Sequence, residues 1–418
     1  MPPMPIEFTS LPIPPPILDG VKRLGFTTCT PIQEKTLPVT LAGNDVAGQA
    51  QTGTGKTAAF LIALFARLLR HPKSPIVSAT SLLGSPRALI IAPTRELVVQ
   101  IAQEAAAIGY ATPFVITAVY GGIDYEKQRT QLTGAVDILI GTPGRLIDYF
   151  KQKVYSLKQV EVVVIDEADR LFDMGFIADL RFLLRRLPPY QKRQSMLFSA
   201  TLTHRVMELA YEYMNDPVKI EVAPDRIVAD RVEQVLFHVE RARKFPLLLG
   251  LLKREACKRV LIFINTKHVG SVVAQRLAAQ GYVTREITGD LPQAQRLRAL
   301  SEFKVGKTAI LVATDVASRG LHIEGVDLVV NYDLPQDVEV YVHRIGRTAR
   351  AGAFGKAVSF ADEEYVLSLE EIQKYIGHAI PVEWPEETLF LKPRHTPVLE
   401  RKPSAPPTKP RPARGRTR

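Results

Sequence analysis

The 418-residue sequence has few of the features that mark secreted, disulfide-bonded or membrane-embedded proteins. Its two cysteines, Cys29 and Cys257, are too few for a disulfide framework or a zinc site. No apolar run reaches the length of a membrane span, and the proline-rich start has no basic segment followed by an apolar one. We therefore expect a cytoplasmic protein that does not bind membranes.

The charge of the chain is unevenly distributed. The net charge is +11, and from Leu391 onward nine Lys and Arg residues stand against one Glu. The segment from Lys392 to Arg418 also contains seven prolines and almost no apolar residues, so it cannot bury a core and is expected to be disordered. A basic tail of this kind favours a polyanionic partner, although a solubilising tail has the same composition.

The segment from Ala50 to Thr57 reads Ala-Gln-Thr-Gly-Thr-Gly-Lys-Thr and has the character of a phosphate-binding loop. Gly53 and Gly55 lack a Cβ, so the backbone can turn several N–H groups toward one anion. The strict pattern has Gly at the position of Ala50, so this is a variant loop. A glycine-rich turn before a helix is the alternative reading, but it does not explain the Gly-Lys-Thr sequence.

The residues after the loop extend this assignment. Residues 58–69 are good helix formers, and the N-terminus of such a helix adds positive dipole to the phosphate site. Lys56 supplies a full charge to the β- and γ-phosphates, and the Thr57 hydroxyl is a ligand for Mg²⁺.

Apolar runs alternate with amphipathic helices along the chain, which predicts parallel sheets covered on both faces. The pattern restarts after a polar segment near residue 225, so we predict two α/β domains, of which only the first has a phosphate loop. The predicted boundaries are 1–35 for an N-terminal extension, 36–224 and 225–380 for the domains, and 381–418 for the tail. The predicted strands are residues 88–92, 115–119, 136–140, 162–165, 195–198, 232–239, 260–264, 283–287, 309–312, 326–330 and 357–360.

Polar residues follow two of these strands, where parallel sheets bind ligands. Asp166 comes directly after residues 162–165 and is placed to hold Mg²⁺, while Glu167 is placed to orient or deprotonate a water. The alternative is that these are ordinary acidic turn residues at the end of a strand, but the presence of the phosphate loop favours the magnesium site. Ser199 and Thr201 follow another strand. Their hydroxyls suit a relay between the site and its surroundings better than catalysis, and the alternative is that they cap a helix.

The most charged structured stretch of the second half is residues 343–350. Such a run is usually a solvated face or a nucleic-acid patch. Arg347 and Arg350, however, are three residues apart at a predicted helix end and can point one way. Offered to a triphosphate on the first domain, they would act as arginine fingers once the domains close.

Taken together, these residues resemble the motifs of DEAD-box RNA helicases, from Ile6 to about Pro381 and in the order of that family. The resemblance implies two tandem RecA-like domains, and ATP and Mg²⁺ as ligands. The segments similar to the family's adenine-reading motif and phosphate loop comprise Phe8, Gly25, Phe26, Thr30, Pro31, Ile32, Gln33, Ala50, Gln51, Thr52, Gly53, Thr54, Gly55, Lys56 and Thr57, with Phe8 and Gln33 as the expected nucleotide contacts of the first motif. Those similar to its RNA-gripping segments comprise Pro93, Thr94, Arg95, Gly121, Gly122, Thr142, Pro143, Gly144, Arg145, Arg296 and Thr314.

The resemblance also implies further roles. Asp315 would touch the ATP ribose, Arg347 and Arg350 the γ-phosphate, and Ser199 with Thr201 would couple hydrolysis to strand separation. The chain departs from the family pattern at His322, where Asp is usual, and at Ala349, where Gly is usual. We expect ATPase activity to survive both departures.

We therefore expect an ATP-dependent RNA helicase that grips RNA mostly through its backbone and locally separates short duplexes. The compact chain with a basic tail resembles the bacterial RhlE-type subgroup, and we expect a monomer whose tail binds RNA, ribosomes or the RNA degradation machinery. Two alternatives stay open on the residues alone. One is a nucleotide-gated RNA clamp or annealing chaperone with little unwinding, and the other is a P-loop ATPase that acts on protein or DNA.

Overall fold

The computed structural model describes residues 6–50, 54–72, 84–222, 232–288, 291–315, 323, 325–348 and 355–394. Within these ranges the chain forms two β-sheets in which every strand pair is parallel, and each sheet has an apolar core on both faces. The prediction of two α/β domains is confirmed.

The first sheet has seven strands in the order β3-β4-β2-β5-β6-β1-β7. They are β1 (Val46–Gln49), β2 (Ala88–Ile91), β3 (Ile116–Val119), β4 (Ile138–Gly141), β5 (Val162–Ile165), β6 (Gln194–Ser199) and β7 (Val218–Glu221). The helices of this half are α1 (Pro15–Arg23), α2 (Pro31–Leu41), α3 (Lys56–Arg70), α4 (Arg95–Ile108), α5 (Tyr125–Leu132), α6 (Pro143–Lys151), α7 (Ala168–Asp173), α8 (Ile177–Leu184) and α9 (His204–Tyr213). Short 3-10 helices span Phe8–Ser10 and Tyr190–Lys192.

The second sheet has six strands in the order β10-β11-β9-β12-β13-β8. They are β8 (Val232–His238), β9 (Val260–Ile264), β10 (Thr284–Ile287), β11 (Ile310–Thr314), β12 (Leu328–Asn331) and β13 (Gly355–Ala361). The helices are α10 (Lys244–Glu255), α11 (Lys267–Ala279), α12 (Gln293–Lys304), α13 (Val338–Ile345) and α14 (Leu369–Ile376), with 3-10 helices at Arg241–Arg243, Val366–Ser368 and Glu387–Leu389. In the described part of the chain, none of the helices combines the length and apolar character that a membrane crossing requires.

Residues predicted as an N-terminal extension belong to the core of the first half. Phe8, Ile17 and Ile32 are buried in the same apolar cluster as Phe60 of α3. Residues 6–35 are therefore part of the first packed unit, because they cover one face of its sheet. Residues 223–231 lie outside the described residues, so the predicted boundary near residue 225 stays a prediction.

The C-terminal segment departs from the prediction in its first part. The sequence analysis placed a disordered tail from residue 381, but the structure packs residues 381–394 on the second half. The Leu236 N–H donates to the Pro381 carbonyl at 2.8 Å, and the Glu383 N–H donates to the Leu236 carbonyl at 2.9 Å. Phe390 then packs on the core beside α10, with the Arg243 guanidinium 3.8 Å from its ring centre. Residues 395–418 lie outside the described residues.

A tight contact on α10 provides a test of this packing. A Cβ added at Gly250 would overlap the carbonyl oxygen of Leu389. We expect Gly250→Ala to lower the free energy of unfolding of the second domain by about 1–3 kcal/mol, because the 387–394 segment must shift. In a chain that ends at residue 386 the same substitution should be stabilising by up to about 1 kcal/mol, since Ala is the better helix former. Thermal unfolding of the four proteins measures both effects, and equal effects in the two chains would contradict the packing.

Candidate active site

The predicted nucleotide-binding residues follow strands that are neighbours in the first sheet. β5, β6 and β1 lie side by side, and their carboxyl ends lead to Asp166, to Ser199 and to the phosphate loop respectively. The Ala50 N–H donates to the Ser199 carbonyl at 3.0 Å, which ties the start of the loop to the next strand. Parallel pairing thus brings three separate segments to one edge.

A cavity of about 530 Å³ opens at this edge. It is lined by Leu24, Phe26, Thr28, Thr30, Gln33, Gly55, Lys56, Thr57, Ala58, Leu97, Gln103, Glu104, Ala107, Ile108, Asp166 and Glu167. Five predicted nucleotide, metal or catalytic residues therefore share this cavity with Gln33: Gly55, Lys56, Thr57, Asp166 and Glu167. Gln51, Thr52 and Gly53 lie outside the described residues, and Thr54 is half-buried beside the cavity residue Gly55.

Lys56 is the first residue of α3, and its position is unusual for a lysine. Its side chain is buried, and its ammonium nitrogen has no hydrogen-bond partner among the residues that the structure describes. Gly55, the residue before it, has φ 88°, a left-handed conformation that favours glycine. A buried cation without a hydrogen-bond partner is costly, so the site fits an anion such as a phosphate chain at the N-terminus of a helix.

Asp166 is almost fully buried beside this cation. Burial raises the pKa of the Asp166 carboxyl to about 6, while the charge of Lys56 acts in the opposite direction. Its Oδ1 accepts a hydrogen bond from the Glu167 N–H at 2.9 Å. Among the described residues, no three His, Cys, Asp or Glu side chains form a metal cluster. One carboxylate with the Thr57 hydroxyl in the same cavity still fits Mg²⁺, which keeps waters and phosphate oxygens as its other ligands.

Glu167 has a left-handed backbone conformation, with φ 51° and ψ 52°. This conformation is strained for a residue with a long side chain, and such strain is concentrated at functional sites. Glu167 stands at the N-cap of α7, but its side chain does not cap the helix. Instead, the Ser199 hydroxyl accepts a hydrogen bond from the Asp169 N–H at 3.1 Å. Ser199 therefore caps the helix from β6, and Thr201 follows it, half-buried.

Gln33 connects the N-terminal helices to the phosphate loop. Its Oε1 accepts from the Thr30 N–H at 2.8 Å, and its Nε2 donates to the Gly55 carbonyl at 3.0 Å. Each end of the amide keeps one hydrogen-bonding position, and an amide can bond the N6/N7 edge of adenine through one donor and one acceptor.

Phe8 was predicted to contact the nucleotide, and the structure corrects this. Its ring is 2% exposed and lies in the core, because the 3-10 helix at Phe8–Ser10 packs inward. Phe26 lines the cavity instead and is 41% exposed. The sequence signal for this choice is the Gly25-Phe26 pair, since a left-handed glycine (φ 78°) marks a surface turn.

The predicted RNA-binding residues of the first half follow the other three strands of that sheet. β3, β4 and β2 are neighbours, and they lead to Gly121 and Gly122, to Thr142 and to Pro93. Pro93 and Pro143 are buried, Gly122 and Gly144 are exposed, and Arg95 is exposed next to Thr94, whose hydroxyl caps α4. A Cβ at Gly121 would lie 2.9 Å from the Arg95 guanidinium, so two of the predicted segments are in contact.

Arg145 is held by aromatic rings near the N-terminus of α6. Its guanidinium carbon lies 4.8 Å from the ring centre of Tyr125 and 5.5 Å from that of Tyr149. The Tyr149 hydroxyl accepts a bond from Arg145 at 3.3 Å and donates to the Tyr125 carbonyl at 2.8 Å. The cation is therefore oriented before any ligand arrives.

In the second half, Asp315 is bound by an arginine that the sequence analysis did not single out. Arg344 donates from Nε and Nη2 to the two carboxylate oxygens of Asp315, at 2.7 and 2.6 Å. It also donates to the Asn265 side chain at 2.9 Å and to the Asp333 carbonyl at 2.7 Å. Arg344 is 1% exposed, so it is a buried side chain whose hydrogen bonds connect the ends of β9, β11 and β12. The available signal was its place in the basic run at residues 343–350.

Other predicted residues of the second half are placed as follows. Thr314 is buried at the end of β11, and Arg347 is 8% exposed, with its Nε donating to the His343 carbonyl at 3.1 Å. Arg347 lines a second, smaller cavity with Arg170 of the first half and not the large one. Arg350, Ala349 and His322 lie outside the described residues.

Arg296 was predicted to bind RNA and is paired with a carboxylate of the first half. Its Nη1 lies 3.0 Å from Oε1 of Glu96, and both side chains are largely buried. Glu96 follows Arg95 in the predicted RNA-gripping segment, so this ion pair joins the two halves next to that segment.

Comparisons with known proteins agree with this geometry. Residues 30–209 match the family model described as "DEAD/DEAH box helicase", and residues 243–352 match "Helicase conserved C-terminal domain". The ATP-dependent RNA helicase RhlB of Xanthomonas campestris pv. campestris (strain B100) is 54% identical over 389 residues, which are 93% of this chain and 67% of that protein. RhlB of Escherichia coli O7:K1 (strain IAI39 / ExPEC) is 52% identical over 376 residues, covering 90% and 88%. The names of these relatives do not support the expected RhlE-type subgroup.

Solved structures show the same two-sheet architecture, which confirms the predicted pair of RecA-like domains. S. cerevisiae Dbp5 bound to RNA and ADP BeF3 has a TM-score of 0.78 and 30% identity, covering 91% of this chain and 95% of that one. Mss116p bound to ssRNA and AMP-PNP has a TM-score of 0.79 and 28% identity, covering 92% and 81%.

The burial of Asp166 generates a stability prediction. A carboxyl group whose folded-state pKa is raised costs stability as the pH rises through that pKa, because the folded state must release its proton. We expect Asp166→Asn to raise the free energy of unfolding of the first domain by about 1–3 kcal/mol at pH 7.5. At pH 4.5 the gain should fall below half of that value.

Calorimetry of nucleotide-free protein at the two pH values measures the difference. Asp179→Asn is the matched control, since Asp179 lies in the first turn of α8 and does not line the cavity. A gain that does not depend on pH would contradict the assignment to burial of the charge.

Proposed function

The chain belongs to the DEAD-box family of ATP-dependent RNA helicases, and from this premise we propose how its own residues hydrolyse ATP and act on RNA. The observation that carries the proposal is the buried Lys56 ammonium, to which the described residues offer no hydrogen-bond partner, in one cavity with Thr57, Asp166 and Glu167. A cation, a hydroxyl and two carboxylates in one buried cavity are the groups that hold a magnesium-bound triphosphate and a water.

The nucleotide is held from its base to its last phosphate by residues of the first domain. Gln33 bonds the edge of adenine through the donor and acceptor that its internal hydrogen bonds leave open, and Phe26 covers the base. Lys56 binds the β- and γ-phosphates, together with backbone N–H groups of residues 50–57. Asp315 meets the ribose from the second domain, held in place by Arg344.

Thr57 and Asp166 are the protein ligands proposed for Mg²⁺. When bound, the ion neutralises charge on the phosphate oxygens. Asp166 is suited to this role because its carboxylate is buried opposite Lys56, where a second cation stabilises its ionised form.

Hydrolysis needs a base and a counter-charge for the transition state. Glu167 orients the attacking water and accepts its proton. Its left-handed backbone conformation fixes the direction in which the side chain leaves the main chain. Arg347 and Arg350 approach the γ-phosphate when the domains close, where they stabilise the developing negative charge.

RNA lies across the carboxyl ends of β3, β4 and β2. Thr94, Arg95 and Arg145, with the backbone N–H groups at Gly121 and at the start of α6, offer donors to phosphates and none to bases, so binding is mostly independent of sequence. Thr314 extends this path onto the second domain. Arg296 contributes by its ion pair with Glu96, which stabilises the closed arrangement beside the RNA.

Coupling between the two ligands passes through Ser199. Its hydroxyl accepts a hydrogen bond from the Asp169 N–H in the first turn of α7, directly after Glu167. Its carbonyl accepts one from the Ala50 N–H at the start of the phosphate loop. A shift of β6 on RNA binding therefore moves Glu167 and the loop together, and Thr201 follows Ser199 in the same segment.

The finer assignments extend this proposal. We place the boundary between the domains near residue 225 and the protein in the cytoplasm as a monomer, and we propose that the RhlB subgroup of the relatives is also that of this chain. The basic residues beyond 394 tether it to RNA, with the ribosome or the RNA degradation machinery as further partners. A nucleotide-gated clamp without hydrolysis is less favoured, because Glu167 and Arg347 are both present.

The function is tested by ATP hydrolysis with RNA, with DNA of the same sequence and with no polymer, near neutral pH. We expect RNA to raise kcat by about tenfold or more and DNA to have little effect, since closure depends on contacts that RNA completes. Equal stimulation by DNA would favour the alternative of a DNA-acting ATPase, and no stimulation would contradict the proposal.

A second test concerns the water-activating residue. Glu167→Gln should lower kcat by about 10²–10⁴-fold, because the amide cannot accept the proton of the attacking water. The variant should still bind RNA in the presence of ATP and release it more slowly than the wild type, because the closed state is not reset.

Stopped-flow release of a labelled RNA measures the second effect. Glu208→Gln is the matched control: it removes a half-exposed carboxylate on α9 and should leave kcat within about twofold. Normal turnover of Glu167→Gln would remove Glu167 from the mechanism.

A further inference from the structure

Arg170 is a buried cation placed between the catalytic carboxylate and the second domain. Its Nη1 lies 2.9 Å from Oε2 of Glu167, and the two side chains are 9% and 6% exposed. A buried ion pair of this kind has fixed geometry, because breaking it leaves a charge without compensation in a place that water does not reach.

The local backbone leaves Glu167 available for this contact. A carboxylate at the N-cap of a helix normally accepts from the N–H groups of the first turn. Here Ser199 takes that role at Asp169, and the Glu167 side chain makes no capping hydrogen bond. The direction of the Glu167 carboxylate is therefore set by Arg170 and not by the helix.

The other side of Arg170 faces the second domain. Arg170 lines a small cavity whose other lining residues belong to the second domain and include Asp315, His343, Arg344 and Arg347. Asp315 is bound at both carboxylate oxygens by Arg344. Arg170 lies between the Glu167 carboxylate on one side and the second-domain residues of this cavity on the other.

We propose that Arg170 is a positioning residue for ATP hydrolysis: its ion pair with Glu167 fixes the direction of the carboxylate, and the second-domain residues that share its cavity hold the guanidinium in that position when the domains meet. This inference rests on the proposed role of Glu167 as the group that activates water. Arg170 does not line the nucleotide cavity, so it acts on the chemical step and not on ATP binding.

The test compares Arg170→Met in the wild type and in the Glu167→Gln variant, by RNA-stimulated and single-turnover ATP hydrolysis. In the wild type we expect kcat to fall about tenfold with KM for ATP changed less than twofold, because only part of the catalytic contribution of a general base is lost. In the Glu167→Gln background the further loss should be less than twofold, since a residue that acts through another has no effect once that residue is disabled. Arg170→Lys, which keeps the charge, should recover at least half of the lost rate.

Arg181→Met is the matched control, because Arg181 pairs with carboxylates of α9 on the neighbouring helix and touches neither cavity residue Glu167 nor the second-domain cluster. It should leave kcat within twofold. If Arg170→Met does not fold, Arg170→Gln carries the same comparison.

Equal losses in both backgrounds, a raised KM for ATP as the main effect, or no loss of kcat would each overturn the role of Arg170. These outcomes differ from failure of the proposed function: normal hydrolysis by Glu167→Gln itself would refute the role of Glu167. An inactive Glu167→Gln with an additive effect of Arg170→Met would refute only the positioning role.

Discussion

Parallel pairing of the strands is the constraint on which the rest of this molecule depends. In a parallel sheet all carboxyl ends lie at the same edge, so every loop that follows a strand contributes to one rim. In the first sheet the order of strands divides that rim in two. β5, β6 and β1 lead to the residues proposed for the nucleotide, and β3, β4 and β2 lead to those proposed for RNA. The two proposed sites are therefore neighbours through β2 and β5, which are paired from Ala88 to Ile91.

The charges at this rim are balanced only in part within the protein. Glu167 is neutralised by Arg170, and Asp315 by Arg344, each through short contacts in a buried setting. Lys244 is similarly held in the second domain between Asp333 at 2.7 Å and Asp362 at 2.6 Å. Within the described ranges Lys56 has no such hydrogen-bonded partner, and burial penalises the ionised form of Asp166, so both groups carry an electrostatic cost. Ligand binding relieves that cost, which makes the same charges favourable for affinity.

Much of the fold was predictable because apolar runs and phosphate-loop chemistry are local in sequence. The predicted strands at 162–165 and 260–264 have the observed bounds. β1 and β7 were missed: each has four residues, β1 contains Gly48, and β7 has one buried and three exposed positions at a sheet edge. The turn at Gly25-Phe26 was the local signal that separates the exposed Phe26 from the buried Phe8. The contacts of Arg344 depend on strand order, so no local pattern predicts them. The ordered set of motifs gave the family, whereas the subgroup depended on whole-chain similarity.

The segment at residues 381–383 has a consequence beyond stability. β8 is the last strand of the second sheet, and its outer side would offer unpaired backbone groups to any passing strand. Pro381 and Glu383 bond to Leu236 there, in a parallel bridge centred on Val382. A proline and a short irregular segment block further strand addition. Proteolytic loss of residues 381–383 would expose the edge of β8 to strand addition by other chains. The second domain would then be prone to aggregation, even with every catalytic residue intact.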